Sequence, residues 1–398
     1  MPRKPALERR FTDVHTYIPA YLRSKNRGVV LQMFLQRNVL SKADIVKQSN
    51  LTFPTVSNVI SDFIQMGLVS ETDTVSTSEN GLGRKGMQLR LNKNAFSTIG
   101  IFFEGNHLRV GLMNLLHEVV DCIDYFVQAD PSTPEEYEVI SKRMTDAIDT
   151  LIQAHPQTQV LGVGIGMPGV IDAKNNTFMR WGKLYNFYDL YKSFHQNFSL
   201  PVFIENDMNA ASLGETIMRN DPNFSNLFFL SVGTGTGAGI IINDHIWHGN
   251  GNYAGDVGLV MNGLKLSDQK EDLAPLRLNN QICASALERK FQVNIAQNAP
   301  CSKEKKQEIS EYVVSRFLPM VYNLSYILDI SSYVLSGLVI DFLGETIFDC
   351  INQYLDHLKR IDMIPMQINI IPSIHCDVGI VGAADIALCS RLPDILSL

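Results

Sequence analysis

Cysteine is scarce and nowhere grouped: Cys122, Cys283, Cys301, Cys350, Cys376 and Cys389 lie far apart among 398 residues, with no Cys-x-x-Cys pair. That excludes a disulfide framework and paired-thiolate zinc motifs, and makes reduced thiols in a cytoplasmic protein the expectation. Long apolar runs are missing as well. The longest candidate, residues 227–242, is broken by four glycines and by Ser231, Thr234 and Thr236. Such a pattern suits two buried strands about a tight turn and not a membrane helix. No apolar segment follows the basic start Met1-Pro2-Arg3-Lys4, so no secretory signal is expected. Charge is sparse, 19% of residues against 45% hydrophobic, which excludes disordered and fibrous classes and leaves a globular chain long enough for two or three domains.

Acidic residues exceed basic ones overall, giving a net charge of −7, but the excess is uneven. Residues 1–93 hold 14 Lys and Arg against 7 Asp and Glu, and the remainder holds 20 against 34. A basic head on an acidic body implies that only the head meets a polyanion.

Within the head, Val29, Val30, Leu31, Phe34 and Leu35 fall at helical spacing. Ser41-Lys42-Ala43-Asp44 pairs a capping hydroxyl with a carboxylate three residues on and opens a short helix. Thr52 then caps a third helix, where Pro54 is tolerated in the first turn because its missing N–H would have had no partner. Along that helix Val56, Val59, Ile60, Phe63, Ile64 and Gly67 share one side, and Pro54, Thr55, Asn58, Ser61 and Gln65 the other. This is the layout of a helix-turn-helix reader, with Thr52, Pro54, Thr55, Ser57 and Asn58 as candidate DNA-binding residues. Short polar side chains approach base edges closely, and an asparagine can pair with adenine. Two strand-like segments, residues 68–71 and 87–91, flank a polar hairpin whose Arg84 and Lys85 would face phosphate or minor groove as a wing. A protein-binding winged helix, or a merely solvated basic loop, is the competing reading.

From about Phe96 strands alternate with helices, as in an α/β body. An apolar strand, residues 160–167, runs into a turn at Pro168 and Gly169, where small residues let the backbone approach a ligand. A second apolar run, residues 202–204, ends in Glu205-Asn206-Asp207 and turns helical. Asn206 and Asp207 either cap that helix or hold the hydroxyls of a polyol at the carboxyl edge of the sheet. The glycine-rich Gly233-Thr234-Gly235-Thr236-Gly237 turn either cradles a phosphate with its amides or serves close packing of a hairpin.

These segments resemble the ROK family of sugar-related repressors and sugar kinases. In the head the resemblance rests on Asn26-Arg27, on Ser41 to Ile45, on Leu51-Thr52-Phe53-Pro54-Thr55-Val56-Ser57, on Gly67-Leu68-Val69 and on Gly83-Arg84. In the body it rests on Gly164-Ile165-Gly166-x-Pro168-Gly169-x-x-Asp172, on Ile204-Glu205-Asn206-Asp207-x-Asn209-Ala210 and on Gly379 to Asp385. The resemblance implies an α/β chain: an N-terminal winged helix-turn-helix (residues 1–92), then a two-lobed actin-like, ribonuclease-H-like sugar-kinase fold (residues 93–398). Its first lobe would span about 93–205 plus a closing helix at about 382–398, and its second lobe about 206–381. Because kinase members lack the head, the regulator branch is implied.

Three departures from the family bear on function. The phosphate-binding Asp-x-Gly-Gly-Thr of the kinases is replaced by Phe102-Phe103-Glu104-Gly105-Asn106, where an apolar ring stands for the carboxylate. The family's Ala-Gly-Glu-x-Gly-His becomes Ala254-Gly255-Asp256-Val257-Gly258-Leu259, which keeps the charge but loses the metal-binding histidine. The family's downstream cysteine cluster is missing, with no cysteine between Leu259 and Ile282, so neither zinc nor any cofactor is expected, and His245 and His248 read as polar loop residues. The implied protein is a sugar-responsive regulator, a repressor, whose partners are operator DNA and a carbohydrate or sugar-phosphate effector, without a membrane, as a homodimer or homotetramer. Gly169, Asn206, Asp207 and Asp256 would meet the sugar, with Asp207 a former catalytic base; Gly233, Thr234, Gly235 and Gly237 are the candidate phosphate ligands. Two alternatives stay open: an ATP-dependent sugar kinase with Asp207 as general base, and a regulator that has lost its effector.

Overall fold

A computed structural model describes residues 19–75, 87–104, 107–126, 134–172, 177–180, 183–186, 200–263, 272–361, 367–374 and 377–397. The head begins with α1 (Pro19–Gln36), β1 (Val39–Ser41), α2 (Lys42–Ser49) and α3 (Phe53–Gln65), followed by β2 (Val69–Val75) and β3 (Met87–Leu91). Its three strands pair in the order β1-β3-β2. Asp44 performs as the glutamate of a full capping box would: its Oδ2 accepts from the Ser41 amide at 2.9 Å, while Ser41 Oγ accepts from the Asp44 amide at 3.2 Å. Val30, Phe34, Ile45, Val56, Ile60 and Phe63 bury completely where the three helices meet.

The body opens with an antiparallel meander of β4 (Phe96–Glu104), β5 (His107–Asn114) and β6 (Val119–Phe126). Then come α4 (Pro134–Ala154), β7 (Gln159–Met167), β8 (Val170–Asp172), β9 (Thr177–Arg180), β10 (Lys183–Asn186), β11 (Val202–Asn206) and α5 (Asp207–Arg219). The first large sheet has the order β11-β7-β4-β5-β6, with β7 parallel to both β4 and β11. Ile140, Met144, Ile148 and Leu151 of α4 form an apolar stripe and cover one face, packing with Ile99, Ile101, Val163 and Ile165.

The second large sheet is built from β12 (Leu227–Val232), β13 (Thr236–Ile242), β14 (His245–Ile246), β15 (Ser332–Ser336) and β16 (Asn369–Pro372), in the order β14-β13-β12-β15-β16. Helices α6 (Leu278–Ile282), α7 (Ala284–Phe291), α8 (Lys303–Ile327), α9 (Leu338–Leu343) and α10 (Glu345–Arg360) supply its largest apolar core. The sequence pattern reads residues 341–359 as one helix. The structure instead breaks it into α9 and α10 at Gly344, whose φ of 59° lies in the left-handed region that ends a helix.

The last helix, α11 (Val378–Ser397), starts four residues earlier than the expected 382 and crosses α5 between the two sheets. A methyl group placed on Gly382 would clash with the Ala210 carbonyl, and one on Gly214 with the Val378 carbonyl, so the two helices meet backbone to backbone. Close-packed backbones leave little room to slide. The far half of α11 buries Leu388, Ile395 and Leu396 in an apolar cluster that joins the helices of the head to Phe96, Met113, Leu115 and Leu161 of the body. No described helix is long and apolar enough to cross a membrane.

Candidate functional site

The site lies where β7 and β11 end side by side, in parallel register with Asn206 opposite Met167. Asn206 caps α5: its Oδ1 accepts from the amides of Met208 at 2.9 Å and Asn209 at 3.0 Å. Its Nδ2 meanwhile donates to the Gly169 carbonyl at 2.8 Å. Asn206 therefore fastens the turn after β7 to the start of α5, which draws Gly169 and Asp207 together. Asp207 follows in the first helical turn, half-buried, with Oδ1 accepting from the Met208 amide at 2.9 Å. A carboxylate there also suits the positive end of the helix dipole.

Glu205, unremarked in the sequence beyond its motif, proves to be a hub. Its Oε1 accepts from the Asn206 amide and from Asn209 Nδ2, both at 2.9 Å, and its Oε2 accepts from His248 Nε2 at 2.8 Å. Burial works to raise the Glu205 carboxyl, but His248, Asn209 and the Asn206 amide together hold it below the usual range. The hydrogen bond to Glu205 raises the His248 imidazole against the effect of burial. His248 stands in a loop, as expected from sequence, and adds a pairing with Glu205 that the sequence does not show. Asn209 Oδ1 is buried with no hydrogen-bond partner in the structure.

His248 opens a loop that reaches back across the site. Asn252 Nδ2 donates to the Ile171 carbonyl at 2.8 Å, tying the loop to β8. Gly255, at a φ of 91°, gives its carbonyl to the Ala238 amide at 2.8 Å. Asp256 comes next, more than a third exposed, yet surrounding protein pushes its carboxyl up while Arg277 pulls it down. Leu259 projects from the same loop, 47% exposed.

The glycine turn between β12 and β13 satisfies itself in part. The Gly233 amide donates to the Gly235 carbonyl at 2.8 Å, the Thr236 amide donates to Asn279 Oδ1 at 2.9 Å, and Gly237 lies against Met208. Thr234 and Gly235 are exposed at the tip. Phe102 is 4% exposed, its ring held against Gly379 and Gly166 in a cluster with Ala211, Phe229, Val334 and Ile380. That cluster joins residues of both large sheets.

On the head, Thr52, Pro54 and Asn58 are exposed, and Thr55 and Ser57 half-buried. The Thr52 and Thr55 hydroxyls lie 2.8 Å apart, and Lys42 Nζ donates to Ser57 Oγ at 3.2 Å. Phe53, 57% exposed beside them, carried no expectation from sequence. Arg84 and Lys85 lie outside the described residues.

Two five-stranded sheets, a closing helix between them and an Asn-Asp corner at the strand ends define the two-lobed architecture of sugar kinases and their non-kinase relatives. The ROK family model matches residues 98–389, and the chain belongs to the ROK family. It is 33% identical over 244 residues to the xylose repressor of Caldicellulosiruptor bescii, covering 60% of this chain and 58% of that one. It is 27% identical over 252 residues to the xylose repressor of Bacillus subtilis, covering 62% and 64% respectively. The matched stretch therefore spans about 60% of these relatives. A ROK transcriptional regulator described as a homologue of the Escherichia coli MLC protein shares the fold over 94% of this chain and 98% of that one (TM-score 0.68, 16% identity). The ROK hexokinase of Thermus thermophilus shares it over 74% of this chain and 99% of its own (TM-score 0.55, 16% identity).

Proposed function

We propose that this protein is a sugar-responsive DNA-binding repressor of carbohydrate genes. The reading is carried by one observation: a basic helix-turn-helix head shares a continuous apolar core with the closing helix of a sugar-kinase-like body. Thr52, Pro54, Thr55, Ser57 and Asn58 read the major groove, and Arg84 and Lys85 of the wing contact phosphate or minor groove. The effector, a carbohydrate or sugar phosphate, takes hydroxyl contacts from Asp207 and Asp256 and backbone contacts at Gly169, while Asn206 sets their spacing through its bond to Gly169. Closing of the 248–259 loop on the sugar moves α5, and with it the bound head. The relatives named xylose repressor make xylose the first effector to test. A homodimer or homotetramer presents two heads to a palindromic operator.

A kinase reading has one observation in its favour, the half-buried Asp207 at the strand end. Against it stand the apolar ring of Phe102, where the family resemblance implies a carboxylate in kinases, and the internal engagement of the Gly233 and Thr236 amides, two donors that a phosphate cradle would otherwise use. Selection of random DNA by the full-length protein tests the regulatory reading. A palindromic consensus bound with steep salt dependence is expected, and retention of no sequence above background would overturn it.

A further inference from the structure

Arg27 of α1 is the largest fully buried side chain of the described structure, 1% exposed. A cation is tolerated there only if every nitrogen it turns inward finds an acceptor, and the planar guanidinium can serve two directions at once. Nε and Nη2 donate to Asp62 Oδ2 of α3 at 3.2 and 2.7 Å, and Nη1 donates to the Leu396 carbonyl of α11 at 3.1 Å. The second acceptor belongs to the last turn of α11, where carbonyls lack helical partners and the helix dipole is negative. Arg23 also donates to Asp62 Oδ2, at 2.9 Å, but it is 55% exposed. Burial works to raise the Asp62 carboxyl, and the two guanidiniums hold it below the ordinary range, so it stays charged.

Asp62 lies one helical turn beyond Asn58 on α3, so fixing Asp62 fixes the rotation of the groove-facing side. At its other end α11 is locked against α5, whose first residue is Asp207. We propose that Arg27 is a positioning residue that aims the DNA-reading helix by fastening it to the end of α11, so that the body sets the distance and angle between the two heads of an assembled repressor. The inference rests on the regulatory reading above and adds to it the place where body and reader are pinned.

A pin predicts a different defect from a mere stabilising contact. A stabilising role lowers binding to every operator alike, whereas a lost aim blurs discrimination between operators whose half-sites differ only in spacing. The test uses full-length wild type, Arg27→Lys, Arg27→Met and, as the control, Arg23→Met, which removes a bond to Asp62 but leaves the link to α11. Operators built from the selected half-site are offered with spacers shortened or lengthened by one and two base pairs. Wild type and Arg23→Met are expected to prefer one spacing by about tenfold or more, and both Arg27 variants to bind all spacings within about twofold while still preferring the half-site over random DNA. Thermal melting and half-site binding of each variant are measured in parallel.

An unchanged spacing preference in Arg27→Lys and Arg27→Met overturns the proposal and leaves the regulatory reading standing. A uniform fall at all spacings, or failure of both Arg27 variants to fold, also overturns it, because Arg27 would then be structural alone. Absence of specific binding by wild type overturns the regulatory reading and this inference together.

Discussion

Replacing Phe102 by alanine removes the ring that fills the seam between the two large sheets. The side chain is 4% exposed and packed against Gly379 and Gly166, a fit so close that Gly379 has no room for a methyl group. Buried Phe→Ala changes cost about 3–5 kcal/mol, with the upper part expected where rigid backbone limits collapse of the cavity. For a body of this length that corresponds to a fall in melting temperature of about 5–10 °C. Differential scanning calorimetry of the full chain measures it. Phe102→Asp, which places at this position the carboxylate that the proposed reading assigns to the kinases, should cost at least as much, because an unpaired carboxyl in an apolar seam loses its hydration. It should also fail to bind ATP, since the Gly233 and Thr236 amides remain engaged. A loss below about 1 kcal/mol in Phe102→Ala, or ATP-dependent stabilisation of wild type or Phe102→Asp, would refute the view that Phe102 plugs a disused phosphate site.

Other perturbations follow from the same geometry. Glu215 is fully buried and held by Arg219 at 2.6 Å, Ser373 Oγ at 2.6 Å and the Ile374 amide at 3.2 Å, so Arg219→Met strands a buried carboxylate and should destabilise by about 3–5 kcal/mol in chemical denaturation. Asn206→Ala removes both the cap of α5 and the bond to Gly169; about 1–3 kcal/mol of stability should go, together with the sugar response, read by calorimetry and effector titration. For His248, raised by Glu205, the pair contributes fully below the ordinary histidine value and is lost as pH rises through the raised one; for Glu205, lowered, the contribution is lost as pH falls through its depressed value. Effector affinity should therefore weaken on the alkaline side of the His248 titration, and His248→Gln should flatten that limb of the pH profile.

How much was legible depended on whether a residue acts through its neighbours in sequence or through distant ones. The capping box at Ser41 and Asp44 and the Thr52 cap are local matters of spacing and stand as read; of the expected apolar stripe of α3, Val56, Val59, Ile60 and Phe63 are buried, whereas Ile64 is 39% exposed. The helical turn after Glu205-Asn206-Asp207 was equally plain. What sequence could not supply was every pairing made across the chain. His248 finds Glu205 43 residues away, and Arg27 meets the Leu396 carbonyl 369 residues away. The break between α9 and α10 was hidden because Gly344 interrupts a run that keeps helical periodicity on both sides. Asn206 was read as either cap or ligand contact, and the structure gives it the cap and a bond to Gly169, since one amide can serve both sides of the turn.

On the proposed reading, a DNA-reading head and a sugar-binding body act as one coupled unit. Its most direct test is operator affinity of the full-length protein at fixed salt, with and without xylose and a panel of other sugars, beside Asp207→Ala. Specific binding that one sugar weakens by about 5- to 150-fold, the usual range of such coupling, is expected, together with an Asp207→Ala variant that binds the operator normally but is not released. No preference for any operator over random DNA, or sugar-dependent ADP formation that vanishes in Asp207→Ala, would contradict it.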